Sequence, residues 1–119
     1  MPILKSKDAF LASTALAAGA SVTGTGVDLR EKYGTAIVAI VTNGATGPST
    51  PPLFIVEVSN DDSIWDEIFR AVAKTGNNAK TPFVYRVAPE ILRARVKFTA
   101  GTGQGSTVVA RGHSVDTLG

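Results

Sequence analysis

Four carboxylates close together are the first residues in this sequence that could do chemistry. They are Asp61, Asp62, Asp66 and Glu67. Such a set can bind calcium, and a pair of carboxylates can hydrolyse a glycosidic bond. The spacing lacks the glycine and the distal glutamate of an EF-hand loop. A turn with a solvated acidic rim is therefore the favoured interpretation.

The single histidine and a glycine-rich segment are the other places where chemistry could occur. His113 would need an activated serine or threonine and an orienting carboxylate to serve in a nucleophilic triad, and no nucleophile motif accompanies it. Residues 101–105 follow a G-x-G-x-G pattern, but a strand pattern resumes at Ser106, where a phosphate site needs a helix N-terminus. We therefore expect no enzyme activity, no catalytic residue, no cofactor and no metal.

The one tryptophan, Trp65, has two interpretations. With Tyr85 it could form a platform on which a sugar stacks, but a lone tryptophan in a β-sandwich more often fills the core. We expect Trp65, Phe54, Phe83 and Phe98 to share one core, because each lies on the apolar phase of its predicted strand.

Composition limits the classes of protein that remain. The chain has 119 residues, of which 44% are hydrophobic, enough for one domain with its own core. It contains no cysteine, which excludes thiol redox chemistry, thiolate zinc sites and disulfides. Its 12 basic and 10 acidic residues give too small an excess of positive charge to indicate nucleic-acid binding.

The charges are unevenly distributed along the chain. Residues 1–69 contain four basic and eight acidic side chains, whereas residues 70–119 contain eight basic and two acidic ones. The halves could attract one another in neighbouring copies, or a basic face could meet an acidic partner. The alternative is that the two halves interleave in one fold and the charges are simply solvated.

The elements that must position these residues are strands. Residues 92–113 predict a hairpin of two alternating strands joined by the loop at residues 101–105. One face of its first strand is apolar, with Leu92, Ala94, Val96 and Phe98, and the other carries the basic stripe of Arg93, Arg95 and Lys97. Arg86 and Arg111 could extend the stripe. A solvated face and contact with a protein partner both remain open, while the lack of interleaved aromatics disfavours nucleic acid.

The remaining pattern is also that of short strands. Residues 36–41 are apolar on both faces, which predicts a central strand covered from both sides, and the proline-rich residues 45–52 predict a surface loop. Residues 53–59 and 64–72 predict two strands around a turn at residues 60–63, although the second also fits helical spacing. We predict an all-β fold: an antiparallel β-sandwich or jelly roll of about eight short strands with an N-terminal arm.

The first 20 residues form a separate segment in this interpretation. Their alanine-rich stretch loosely resembles a secretion signal, but polar residues interrupt it, and it is shorter than the roughly 20 residues that a transmembrane helix needs. We interpret residues 1–20 as an N-terminal arm or edge strand, with a short helix as the alternative, and residues 21–119 as a single β-sandwich domain. The arm could pair with a neighbour's open sheet edge, which makes Phe10, Leu11 and Leu16 candidate partner-binding residues alongside the basic stripe.

Several short motifs occur in a distinctive order. They are Leu-Ala-Ser-Thr-Ala-Leu-Ala-Ala-Gly from position 11, Val-Asp-Leu from position 27, Phe-Ile-Val-Glu-Val-Ser-Asn-Asp-Asp-Ser-Ile-Trp from position 54, Phe-Val-Tyr-Arg-Val from position 83 and Val-Lys-Phe-Thr-Ala from position 96. This layout spans most of the chain and resembles small bacteriophage virion β-sandwich proteins of the head decoration, or cement, type.

The resemblance implies a structural virion protein on the capsid surface that binds and stabilises the head shell as a dimer or trimer. Its partner would be the major capsid protein or another virion protein, with neither nucleic acid nor membrane involved. A phage neck or tail component is one alternative. A carbohydrate-binding β-sandwich module is another, from a different class of protein.

Overall fold

The computed structural model describes residues 3–117, and the side chains of residues 6–115. The regular structure of this part of the chain consists of strands. They are β1 (Ile3–Leu16), β2 (Ser21–Thr23), β3 (Val27–Asp28), β4 (Gly34–Asn43), β5 (Leu53–Ser59), β6 (Asp66–Val72), β7 (Lys80–Val87), β8 (Arg93–Thr99) and β9 (Ser106–Thr117). Within residues 3–117 there is no helix long and apolar enough to cross a membrane.

The strands form two antiparallel sheets that pack as a sandwich. Sheet A has the order β1-β9-β4-β7, and sheet B has the order β2-β8-β5-β6, with β3 pairing with β8 beside β2. The chain crosses between the sheets at most connections, and β5–β6 is the hairpin in the described part. This strand order is that of a jelly roll, so the predicted fold class is confirmed.

The hairpin predicted for residues 92–113 is wrong. Both strands exist, but β8 pairs with β5, β2 and β3 in sheet B, while β9 pairs with β1 and β4 in sheet A. The glycine-rich residues 101–105 therefore carry the chain from one sheet to the other. Gly101 and Gly105 pass so close to the carbonyl oxygens of Thr50 and Leu16 that a side chain would clash.

Four phenylalanines form the centre of the core. The ring of Phe54 lies 5.0 Å from that of Phe98, 5.1 Å from that of Phe83 and 6.1 Å from that of Phe69, measured between centroids. Phe83 belongs to sheet A and the other three belong to sheet B, so the contact between Phe54 and Phe83 joins the two sheets. The prediction that Phe54, Phe83 and Phe98 share one core is confirmed.

The segment interpreted as an arm or edge strand lies within the sandwich as β1. It pairs with β9 along residues 3–16, with register shifts between Ala9 and Leu11 and between Leu11 and Thr14. The side chains of Phe10 and Leu16 are 1% and 9% exposed and belong to the core. The segment is thus an edge strand of sheet A, which is one of the two interpretations of residues 1–20, and the burial of Phe10 and Leu16 does not fit a free arm.

A buried polar residue positions the start of β7. The amide nitrogen of Asn43, at the end of β4, donates to the carbonyl oxygens of Lys74 at 2.8 Å and Gly76 at 2.9 Å. Its amide oxygen accepts a hydrogen bond from the hydroxyl of Ser106 at 2.8 Å. Because these partners satisfy a side chain that is 4% exposed, Asn43 fixes the loop that leads from sheet B into β7.

Candidate interaction surfaces

The basic stripe lies on the outer face of sheet B, which we call face B. Ala94, Val96 and Phe98 are buried on the opposite side of β8, as the alternation predicts. Arg95 donates from Nε to Glu57 Oε1 at 2.9 Å, across the pair formed by β8 and β5. The charge of Arg95 is therefore engaged within the protein. The expectation that the stripe contacts a partner stays a prediction.

Trp65 also lies on face B, so the prediction that it belongs to the core is wrong. Its ring centroid is 4.3 Å from the guanidinium carbon of Arg95, and its edge lies over Gly26, where a side chain would clash with it. The residue precedes β6, where the chain has just left the β5–β6 turn, so strand alternation does not determine its direction. Arg95 covers one face of the indole, while Tyr85 packs against Phe69 at 4.8 Å. Trp65 and Tyr85 consequently form no shared sugar platform.

Face B carries both signs of charge. Arg70 makes two hydrogen bonds to Glu67, of 2.7 and 3.1 Å, and these lower the pKa of Glu67, with a smaller effect from the positive charge of Lys97. Arg93 Nη1 donates to the carbonyl oxygen of Asn60 at 3.4 Å. On this face a glutamate thus compensates the charge of Arg70 and another that of Arg95.

Among the four carboxylates at residues 61–67, Asp61 supports the turn between β5 and β6. Asp61 Oδ1 accepts hydrogen bonds from the backbone N–H groups of Ile64 and Ser63, each at 2.9 Å, and from the hydroxyl of Ser59 at 3.0 Å. These bonds lower the pKa of Asp61. Asp62 adopts a positive φ of 59°, as turn residues do. Among the described residues no three metal-ligating side chains gather into a possible metal site.

His113 is exposed on the outer face of sheet A, and no hydrogen bond joins its imidazole to a nucleophile in the described part of the chain. The neighbouring Ser114 points to the opposite side of β9, where its hydroxyl lies 2.8 Å from that of Thr35 and 3.4 Å from Asp8 Oδ2. A strand directs consecutive side chains to opposite faces, which separates the imidazole from this hydroxyl pair.

The outer face of sheet A, which we call face A, is the surface that the sequence analysis missed. Outward-facing positions on the two central strands and on β7 form an apolar centre of Ala36, Val38, Ile40, Pro82, Val84 and Val109. The expectation that residues 36–41 are covered on both sides is wrong, because nothing in the described chain covers this side of β4. Val84 is 65% exposed.

A basic rim surrounds this apolar centre. Its members are Lys7, Lys80, Arg86 and Arg111, which lie on three of the four strands of sheet A. Arg86 and Arg111 thus belong to the sheet opposite the basic stripe and do not extend it. The signal for face A was present in the sequence as an apolar pattern on both sides of residues 36–41.

Two surface depressions lie beside the connection between β3 and β4. One, of about 610 Å³, is lined by charged residues that include Asp8, Asp28 and Arg30. Arg30 binds Asp28 with a shortest distance of 2.6 Å, which holds the pKa of Asp28 well below its usual range. The other, of about 480 Å³, borders face A and is lined by residues that include Tyr33 and His113.

Comparisons with known proteins show the fold. No family model matches the chain, and no curated protein matches it. The exported protein XepA of phage PBSX aligns with a TM-score of 0.66 at 14% identity, over 96% of this chain and 38% of that one. A chain of infectious bursal disease virus, Gx strain, aligns with a TM-score of 0.60 at 7% identity, over 98% and 33%.

A third solved structure comes from Bacillus endospore appendages, described as disulfide-linked pili. It aligns with a TM-score of 0.54 at 14% identity, over 98% of this chain and 89% of that one. The chain therefore spans well under half the length of the phage and virus chains and most of the length of the appendage chain. Proteins of a phage, a virus and a bacterial appendage share this sandwich.

Proposed function

We propose that this protein is a structural component of a bacteriophage particle, and that it works by contact rather than by catalysis. The observation that carries the proposal is face A: an apolar centre on an open sheet face, ringed by basic residues. Antiparallel sheets commonly expose one face to solvent, and that face is then usually polar. An apolar one is typical of a surface that another molecule covers.

The fold and the sequence motifs support a phage context. The motif from position 54 covers most of β5 and the turn that leads into β6, and the motif from position 83 lies on β7. A phage-encoded exported protein and a virus chain share the sandwich over nearly the whole of this chain. The appendage comparison supports a pilus role less well, because this chain has no cysteine with which to form disulfide links.

Within the particle, we propose a decoration role on the head shell, as a dimer or trimer bound to the major capsid protein or to another virion protein. Copies that bind at repeated positions on a symmetric shell gain strength from multivalency, so each single contact can be weak. A neck or tail position is the alternative. A carbohydrate-binding role is less well supported, because Arg95 covers one face of Trp65.

Particles from a phage that lacks this chain provide the test. Purified protein would be added to them, unbound protein removed by sedimentation, and the particles imaged by electron cryomicroscopy. We expect added density at symmetry-related positions on the head, and light scattering should give a dimer or trimer in solution. Density confined to the neck or tail would favour the alternative, and no binding at any position would contradict the virion role.

A further inference from the structure

We infer that face A docks against an acidic surface of another virion protein, an inference that rests on the virion role proposed above. The partner surface would carry an apolar patch with carboxylates around it. Face A and not the basic stripe would thus make the principal charged contact of the protein.

The first reason is that the cations on face A have no partner within the described chain. Lys7, Lys80, Arg86 and Arg111 make no ion pair there. No aspartate or glutamate occupies an outward-facing position among the described residues of the four strands of sheet A. On face B, by contrast, Arg95 and Arg70 each bind a glutamate.

The second reason is the arrangement of charge around the apolar centre. In the strand register, Ala36 lies between Arg86 and His113, and Val38 lies between Val84 and Arg111. The side chains of Arg86 and Lys80 emerge six residues apart on β7, about 20 Å at the usual rise of a strand. Carboxylates spread over a similar distance on a partner could pair with several of these cations at once.

Other occupants fit the surface less well. A second copy that docked face A to face A would bring the two basic rims together, which charge repulsion opposes. Proteins that bind single-stranded nucleic acid place aromatic rings where bases can stack. The centre of face A is instead made of valine, isoleucine, alanine and proline side chains.

The depression beside face A extends the proposed contact. Tyr33, which is 65% exposed, lines its volume of about 480 Å³ together with Arg86 and His113. Tyrosine and arginine are among the residue types that contribute most to the energy of protein interfaces. A side chain of the partner could enter this depression while the flat apolar centre packs against its surface.

Zero-length cross-linking on intact particles tests the partner's chemistry directly. A carbodiimide joins a lysine amine to a carboxylate that touches it, and mass spectrometry then identifies both peptides. We expect links from Lys7 and Lys80 to aspartates or glutamates of a different virion protein. Links from these lysines only to other copies of this chain, or no links from them while Lys74 and Lys97 react, would overturn the inference.

Charge reversal tests the surface with a matched control. Arg86→Glu with Arg111→Glu changes face A, and Arg93→Glu with Lys97→Glu changes face B by the same total charge. We expect the face A variant to lose about tenfold or more in apparent affinity for the particle and the face B variant to lose no more than about twofold. Thermal unfolding of each variant shows whether its fold is retained.

The two proposals fail in different ways. If the unmodified chain is absent from particles and does not bind them, the virion role is wrong, and the inference is overturned with it. If the chain binds but the two variants lose affinity equally, or the face B variant loses more, face A is not the docking surface and the virion role stands. If the unmodified chain binds DNA, and the face A variant loses that binding but still binds DNA-free shells normally, the partner of face A is nucleic acid. This result would overturn the inference of an acidic protein partner.

Discussion

Phe10 occupies the space that a side chain at position 112 would need. A Cβ placed on Gly112 would overlap the ring of Phe10, which is 1% exposed. The glycine in β9 is thus what allows the aromatic ring of the neighbouring strand to reach the core. In a close-packed interior even one added methyl group must displace its neighbours.

Adding that methyl group should therefore destabilise the protein. We expect Gly112→Ala to lower the free energy of unfolding by about 1–3 kcal/mol, as overpacking of a core does. Gly34→Ala is the matched control in β4, because nothing lies within 4 Å of a Cβ at that position. Urea unfolding of both variants provides the measurement, and equal effects would contradict the packing assigned to Phe10.

Aromatic residues inside and outside the sandwich should respond differently to truncation. Phe54→Ala removes the ring that touches three others and should cost about 3–5 kcal/mol. Trp65→Ala should cost less, because Trp65 packs on face B against Arg95 and Gly26. Denaturant unfolding measures both costs. A larger loss of unfolding free energy for Trp65→Ala than for Phe54→Ala would show that Trp65 belongs to the core.

At the scale of elements, β1 is both an edge of sheet A and a source of core residues. Its backbone pairs with β9, and Phe10 and Leu16 are part of the hydrophobic cluster. The two register shifts disturb its free edge, and such irregularities oppose the addition of a partner's strand. Contact through this edge is therefore less favourable than the sequence alone indicates.

Removal of β1 should unfold the domain rather than only detach it from a partner. Deletion of residues 1–16 exposes β9 and empties the positions of Phe10 and Leu16, so we expect loss of the near-ultraviolet circular dichroism signal and of cooperative melting. Ala12→Ser, at an exposed position of the same strand, is the control that should melt normally. A deletion variant that stays folded would restore the arm interpretation.

The β5–β6 turn gives the protein a pH-dependent element. Because hydrogen bonds to Asp61 lower its pKa in the folded state, its stabilising effect is present above the ordinary carboxyl pKa of about 3.9 and is lost as the pH falls through the folded value. We expect the stability difference between the unmodified protein and Asp61→Asn to shrink from neutral to acidic pH. Urea unfolding across this range measures the difference, with Asp66→Asn as the control. A constant difference would contradict this role.

At the scale of the whole molecule, the two outer faces of the sandwich differ in kind. On face B, Arg70 and Arg95 each pair with a glutamate, whereas the cations around the apolar centre of face A make no ion pair within the described residues. The uneven charge along the chain is thus only partly cancelled by folding. The remaining unpaired positive charge lies on face A, where it can favour an acidic partner and fix the orientation in which that partner binds.

Binding through face A should weaken when salt is added and when the exposed Val84 is substituted. Exposed charges are screened over about 8–10 Å at physiological ionic strength, so binding to particles should weaken as salt is added. Val84→Ser should also weaken binding while it changes the free energy of unfolding by less than about 0.5 kcal/mol, since Val84 is 65% exposed. Quantitative sedimentation with particles measures both effects. Binding that is unchanged in high salt and in Val84→Ser would contradict this role of face A.

The strands and the faces of their side chains could be predicted from local sequence. On β8, Ala94, Val96 and Phe98 are buried, while Arg93 and its alternate neighbours face outward, because a strand's side chains alternate whatever it pairs with. The turn at residues 60–63 could also be predicted from the local sequence. Its polar residues can satisfy their own backbone, as Asp61 does.

Only the tertiary structure decided which strands pair and which sheet faces are covered. The same alternation would suit β8 and β9 as a hairpin or as members of opposite sheets, and contacts between distant segments select the second arrangement. Trp65 lies outside the core because the chain turns just before it. The apolar outer side of β4 is open because no further layer among residues 3–117 covers sheet A. Such outcomes depend on the packing of segments far apart in sequence, which the period of a single strand does not encode.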